Sequence, residues 1–179
     1  MVTAPGTNDI LDAKIRGIRL LLTDCDGVLT DGKVYYSALG EDLRAFSVRD
    51  GMGVERLRRL AGVEVGIISG ERAPSLRRRA EKLQIDILHL GIRDKLAIVE
   101  EICRLRGLGL EAVAYIGDDV NDLSVLERVG FSACPADAMP GLAERVDYVC
   151  RRNGGAEAFR EICEVIIAGH QGGDAHDDK

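Results

Sequence analysis

Residues 18–28 read Ile-Arg-Leu-Leu-Leu-Thr-Asp-Cys-Asp-Gly-Val, a mostly apolar run that stops on two carboxylates and a glycine. A short apolar run of this kind suits a strand buried on both faces of a parallel sheet. Acids at i and i+2 are an unusual way to end such a strand. Their plainest reading is a turn with capping aspartates, and what lies further along the chain decides against that reading.

Working outward, the same texture recurs at Val63 to Ser69, Ile85 to Leu90 and Val113 to Ile116. Between these runs, Met52 to Ala61, Pro74 to Leu83, Asp94 to Leu105 and Asp122 to Val129 carry apolar residues at helical spacing among charged ones. Pro74 suits a first helical turn, and Gly62, Gly107 and Gly130 suit helix ends. Strand and helix in alternation predict a doubly wound, Rossmann-like α/β fold with a parallel sheet. One section breaks the alternation. Lys33 to Val48 holds two β-type runs around Leu39 to Asp42, and is expected to project as a β-hairpin after the first strand. Its apolar residues Val34, Tyr35, Tyr36, Leu43 and Phe46 are expected to be exposed there. The domain reading is a lead-in over 1–11, one domain over 12–168 and a disordered, Gly/Asp-rich tail over 169–179 that includes His170 and His176.

Ligands of such sheets bind at the carboxyl ends of the strands, and residues able to do chemistry follow each predicted strand. Asp24, Asp26 and Gly27 follow the first, Ser69 and Gly70 the second, and Lys95 begins a helix after the third. Asp118, Asp119 and Asp122 follow the fourth, within Gly117 to Asp122 (GDDVND). Acids gathered at one sheet edge repel unless a cation joins them. A hard ion with oxygen ligands, magnesium, is the natural candidate. A phosphoryl group would then meet the cation, Lys95, the Ser69 hydroxyl and the N–H groups around Gly27.

These motifs, DCDGV, IISG, Lys95 and GDDVND, resemble in order the four motifs of the haloacid dehalogenase superfamily, over roughly 18–166. The resemblance implies a phosphatase in which Asp24 attacks phosphorus and Asp26 serves as acid and then base. It implies magnesium held by Asp24, the Asp26 main-chain carbonyl and Asp118, with Gly27, Ser69, Gly70 and Lys95 on the phosphoryl oxygens. The stretches DCDGVLTDG, FSVRDGMG, GDDVND, PADA and GGAEAFRE are similar to the branch that lacks a cap domain. That branch implies a homotetramer in which neighbours help close each site. It also implies a phosphorylated 3-deoxy-2-ulosonic acid as substrate, and two readings compete. Arg49-Asp50-Gly51 looks like the octulosonate 8-phosphate phosphatases. Glu71, Lys82 and the shortened GGAEAFRE segment resemble the nonulosonate (KDN or sialic acid) 9-phosphate phosphatases, and the balance leans slightly to these. Arg49, Glu71 and Lys82 are the candidate substrate-binding residues. A non-catalytic oligomerisation module of a sugar-activating system is a further alternative, which the intact acids and Lys95 argue against.

Composition fits an ordinary globular protein: 179 residues, 46% hydrophobic, 30% charged. A net charge of −6 disfavours a nucleic-acid partner. Arg77 to Arg79, the one dense basic run, fans around a helix as a solvated face. Five cysteines without a CxxC pair read as small buried hydrophobes in a reducing compartment, so a cytoplasmic location is expected. No apolar run is long enough to span a bilayer. GLGLEA, residues 107–112, matches a dinucleotide-binding pattern, but it follows a helix and precedes a strand, the reverse of what that fingerprint needs.

Overall fold

The computed structural model describes residues 7–172. In chain order the elements are α1 (Thr7–Arg16), β1 (Leu20–Thr23), β2 (Tyr35–Ser37), β3 (Gly40–Leu43), α2 (Val48–Ala61), β4 (Glu64–Ser69), α3 (Pro74–Leu83) and β5 (Ile87–Leu90). They continue with α4 (Lys95–Arg106), β6 (Val113–Ile116), α5 (Leu123–Leu126), β7 (Phe131–Cys134), β8 (Tyr148–Val149) and α6 (Ala158–Gly172). Six strands form one parallel sheet in the order β5-β4-β1-β6-β7-β8, while β2 and β3 pair antiparallel on their own.

β1 is buried because it lies at the sheet's centre, in register with β4 through Leu20 and Glu64 and with β6 through Leu20 and Val113. Its side chains alternate between two cores, as strand geometry requires. Leu21 clusters with Val54, Leu57, Phe159 and Ile162. Leu20 and Leu22 cluster with Val99, Ile102 and Val125. So α1, α2, α3 and α6 cover one face, and α4 and α5 the other. The chain leaves β1 to one side for β4 and later enters β6 on the other side, so the crevice between these strand ends is the switch point where ligands bind. All five cysteines are free and buried in these layers, as composition suggested.

Several expectations change. α1 begins within the stretch read as a lead-in, and α6 continues to Gly172 through residues assigned to the tail. The rest of the tail, His176 included, lies outside the described residues. β7, β8 and α6 had no counterpart in the sequence reading. Gly62 and Gly107 do end α2 and α4, with φ of 64° and 65°. Gly130 has a different purpose: α5 stops at Leu126, and a Cβ on Gly130 would come within 2.0 Å of the Glu111 carbonyl oxygen. α5 is also half the expected helix: it begins at Leu123, after a 3₁₀ turn over Val120–Asp122, and ends at Leu126 rather than Val129. The hairpin is present, but it turns at 38–39, earlier than expected, with Gly40 at φ 118°. Tyr35, Tyr36, Leu39 and Leu43 are exposed. Phe46 instead packs against the core under the Arg79 guanidinium, and Val34 is half-buried.

Candidate active site

Each predicted strand end delivers its residue to one place. Asp24, Asp26 and Gly27 after β1, Ser69, Gly70 and Glu71 after β4, and Asp118 after β6 line a single cleft of about 280 Å³, together with Gly32, Asp119 and Asn121. The backbone turns sharply to achieve this. Gly27 has φ +79°, and a Cβ there would come within 1.9 Å of the Asp118 carboxylate, so that only glycine lets the two segments meet. Behind Gly27 stands a second pair. A Cβ on Gly154 would come within 1.9 Å of the Gly27 carbonyl oxygen, and the Gly155 N–H donates to the Val28 carbonyl at 2.9 Å. Asp137, in the PADA stretch, accepts from the Gly154 N–H at 2.8 Å and holds this support in position.

Lys95 lies under the cleft, 1% exposed, at the first position of α4. Its Nζ is 2.7 Å from Asp24 Oδ2 and 2.7 Å from Asp122 Oδ1. Burial alone would push this lysine toward neutrality, yet the two carboxylates outweigh it and hold its pKa above the ordinary value. Asp24 also accepts from the Cys25 N–H at 2.6 Å. Burial and the Asp122 charge nevertheless exceed the help from Lys95, and raise Asp24 to about 6. Burial, Asp24 and Asp122 raise Asp118 to about 7. Three carboxylates thus face one ammonium, and the local charge does not balance.

That imbalance is the test of whether a metal suits the site. One carboxylate oxygen from each of Asp24, Asp118 and Asp122 lies within 4.8 Å of the others. Asp118 makes no ion pair among the described residues. All are hard oxygen donors, as magnesium prefers. The residues therefore fit a divalent cation.

Asp122, counted among the acids of GDDVND in the sequence, was given no role of its own there. It is fully buried, and accepts from the Tyr115 hydroxyl at 2.7 Å and from the Asp118 N–H at 3.1 Å. It ties Lys95, β6 and the acidic loop into one unit. The only signal was its place four residues after Asp118. Asp26 is likewise held by a residue the sequence did not single out: Arg44 donates through Nε to Asp26 Oδ1 at 2.7 Å. The substrate candidates do not assemble. Glu71 lines the cleft, but Lys82 lines a separate groove with Glu55 and Arg58, and Arg49, exposed at the start of α2, pairs with Glu157.

Known proteins are similar to this chain in sequence and fold. Residues 74–156 match the family described as haloacid dehalogenase-like hydrolase. The chain is 42% identical over 163 residues to the 3-deoxy-D-manno-octulosonate 8-phosphate phosphatase KdsC of Escherichia coli K12, covering 91% of this chain and 86% of that one. The crystal structure of the phosphatase of the same name from Yersinia pestis superposes with a TM-score of 0.87 at 42% identity, over 91% of this chain and 88% of that one. The phosphatase of that name from Moraxella catarrhalis, crystallised with magnesium, phosphate and KDO, gives a TM-score of 0.88 at 34% identity, over 95% and 97% of the two chains. With identity of this order sustained along nearly the whole length of such relatives, the chain belongs to the haloacid dehalogenase-like hydrolases, on their phosphatase branch.

Proposed function

We propose that this chain is a magnesium-dependent 3-deoxy-D-manno-octulosonate 8-phosphate phosphatase that works through an aspartyl-phosphate on Asp24. The observation that carries the reading is the convergence of Asp24, Asp26, Ser69 and Asp118 on one cleft with Lys95 beneath it. The names of the relatives support the octulosonate. The slight lean toward a nonulosonate 9-phosphate rested on Glu71, Lys82 and the shortened GGAEAFRE segment; within one chain Glu71 and Lys82 line different clefts, and none of the relatives named above carries a nonulosonate name.

Asp24, the Asp26 main-chain carbonyl and Asp118 would hold magnesium, which when bound offsets the charge that opposes a carboxylate approaching a phosphate dianion. The protein's own residues do the rest. Lys95 orients Asp24 and shares the phosphoryl charge with the Ser69 hydroxyl and the backbone N–H groups around Gly27. A carboxylate oxygen of Asp24 forms a bond to phosphorus. The ester bond breaks with its electron pair on the sugar oxygen, which takes a proton from Asp26. Asp26, now a carboxylate, accepts a proton from water as that water attacks phosphorus, and Asp24 leaves as a free carboxylate with inorganic phosphate. The assembly we propose is a homotetramer, supported by the apolar residues that the hairpin exposes. The cytoplasm is the proposed location, supported by five buried free thiols. No helix among the described residues is long and apolar enough to cross a membrane.

Phosphate release from octulosonate 8-phosphate and nonulosonate 9-phosphate, measured side by side with magnesium, tests the reading. The octulosonate is expected to have the higher kcat/KM, and activity is expected to disappear with EDTA or in Asp24→Asn. A higher kcat/KM for the nonulosonate would reverse the substrate assignment. Full turnover by Asp24→Asn would remove the mechanism, and no turnover of any phosphate ester would favour a non-catalytic module.

A further inference from the structure

Arg44 follows β3 at the foot of an exposed hairpin, yet its side chain is only 1% exposed. A guanidinium withdrawn from water is costly unless it is paired. Arg44 has two carboxylate partners: Asp26, reached through Nε at 2.7 Å, and Glu41. The two oxygens of Asp26 are treated unequally. Oδ1 accepts from Arg44 and, more weakly, from the Thr30 hydroxyl at 3.4 Å. Oδ2 is buried and has no hydrogen-bond partner.

We propose that Arg44 is a positioning residue for the proton-transfer step. It holds the Asp26 carboxylate by Oδ1 and so sets how that carboxyl group meets the leaving oxygen and, later, the attacking water. The ester bond breaks with its electron pair on the leaving oxygen, the carboxyl O–H bond of Asp26 breaks toward that oxygen, and Asp26 is left as the carboxylate that Arg44 balances. Because Arg44 stands at the foot of the hairpin, the hairpin is joined directly to the chemistry. This inference rests on the phosphatase reading above, and on Asp26 as its acid.

The experiment separates proton delivery from everything else by varying the leaving group. kcat/KM reports the steps up to departure of the alcohol, so hydrolysis of the aspartyl-phosphate does not enter it. An alkyl ester needs the proton, whereas p-nitrophenyl phosphate expels a phenolate that does not. Wild type, Arg44→Gln, Arg44→Lys and Asp26→Asn are compared on octulosonate 8-phosphate, glycerol 1-phosphate and p-nitrophenyl phosphate. Positioned acids contribute about 10² to 10⁴-fold, so misplacing one is expected to cost Arg44→Gln about 10- to 100-fold on the alkyl esters and less than about 3-fold on p-nitrophenyl phosphate. Arg44→Lys, which keeps the charge and one donor, is expected to recover most of the loss. Should the glutamine variant fail to fold, Arg44→Met, which keeps the length of the stem but neither charge nor donor, is read in its place. Equal losses on all esters, or no loss, would overturn the proposal and leave Arg44 a structural residue. If Asp26→Asn does not discriminate between the esters, the acid assignment fails and the proposal with it. If wild type turns over glycerol 1-phosphate but not the octulosonate, only the sugar assignment fails, and the Arg44 comparison is made on the remaining pair.

Discussion

Single residues in this fold carry more than one duty, and sequence exposes only one of them. Asp24 and Asp118 were legible because an acid at the end of an apolar strand is out of place. Asp122 was visible as one more acid of the same loop, but its tie to Tyr115 was not, since Tyr115 looks like an ordinary strand residue until the fold brings the two within 2.7 Å of each other. Arg44 was illegible for the same reason, its partner lying 18 residues away. Asp50 shows how burial alone sets a residue's behaviour. It is 2% exposed, accepts from the Arg160 N–H at 2.9 Å through Oδ1, and leaves Oδ2 without a partner. Burial raises it from 3.8 to about 6, against the opposing pull of Arg79 and Arg160 and with some help from Glu157. Between those two values the folded chain binds more protons than the unfolded one, so stability falls as pH rises from about 4 to 6. Asp50→Asn is expected to flatten that part of the pH–stability curve and to gain at most about 3 kcal/mol over wild type at pH 7. Denaturant unfolding of both proteins at several pH values checks this, since the shifts at Asp24 and Asp118 are common to both and cancel. A variant no more stable than wild type at pH 7 would contradict it.

At the scale of elements, what could be read was what repeats. The β1, β4, β5 and β6 runs were visible because strands buried on both faces leave continuous apolar stretches, and α3 was bounded correctly by Pro74 and Leu83. β7 escaped notice because Phe131-Ser132-Ala133-Cys134 is not a continuous run of large apolar residues, and β8 because two residues are too few to establish a pattern. Both owe their strand conformation to a neighbour already in the sheet. α6 has the apolar spacing of a helix in Phe159, Ile162, Cys163, Ile166 and Ile167, but its first residues were read only as part of the GGAEAFRE stretch and not as a helix. The loop that leads into it bears directly on the site. Gly154 rests against the Gly27 carbonyl, so an added methyl has to push the segment carrying Asp26. Gly154→Ala is expected to fold, to need more magnesium for half-maximal activity, and to lose about 10²-fold in kcat/KM, as misplacement of about 1 Å can cost. Magnesium titrations of activity, with thermal unfolding as the check on folding, give the answer. Unchanged magnesium dependence would mean that the support is not felt at the metal.

The whole molecule is one six-stranded sheet with helices on both faces and a hairpin standing away from it. That hairpin exposes 73% of Tyr36, 99% of Leu39 and 65% of Leu43, an apolar projection of the kind that marks an interaction surface. Light scattering is expected to give four times the chain mass, and Tyr36→Ser with Leu43→Ser is expected to shift the protein toward monomers and lower its activity. A fully active monomer at assay concentration would rule out the tetramer. The free thiols have a separate consequence at this scale. Cys25 sits at the end of β1, Cys103 in α4, Cys134 in β7, Cys150 just past β8 and Cys163 in α6, all shielded from solvent. A thiol reagent can reach each one only when its own layer opens. The order in which the five are alkylated under native conditions is therefore a five-channel clock of local opening, already distributed through the fold without any label having to be engineered.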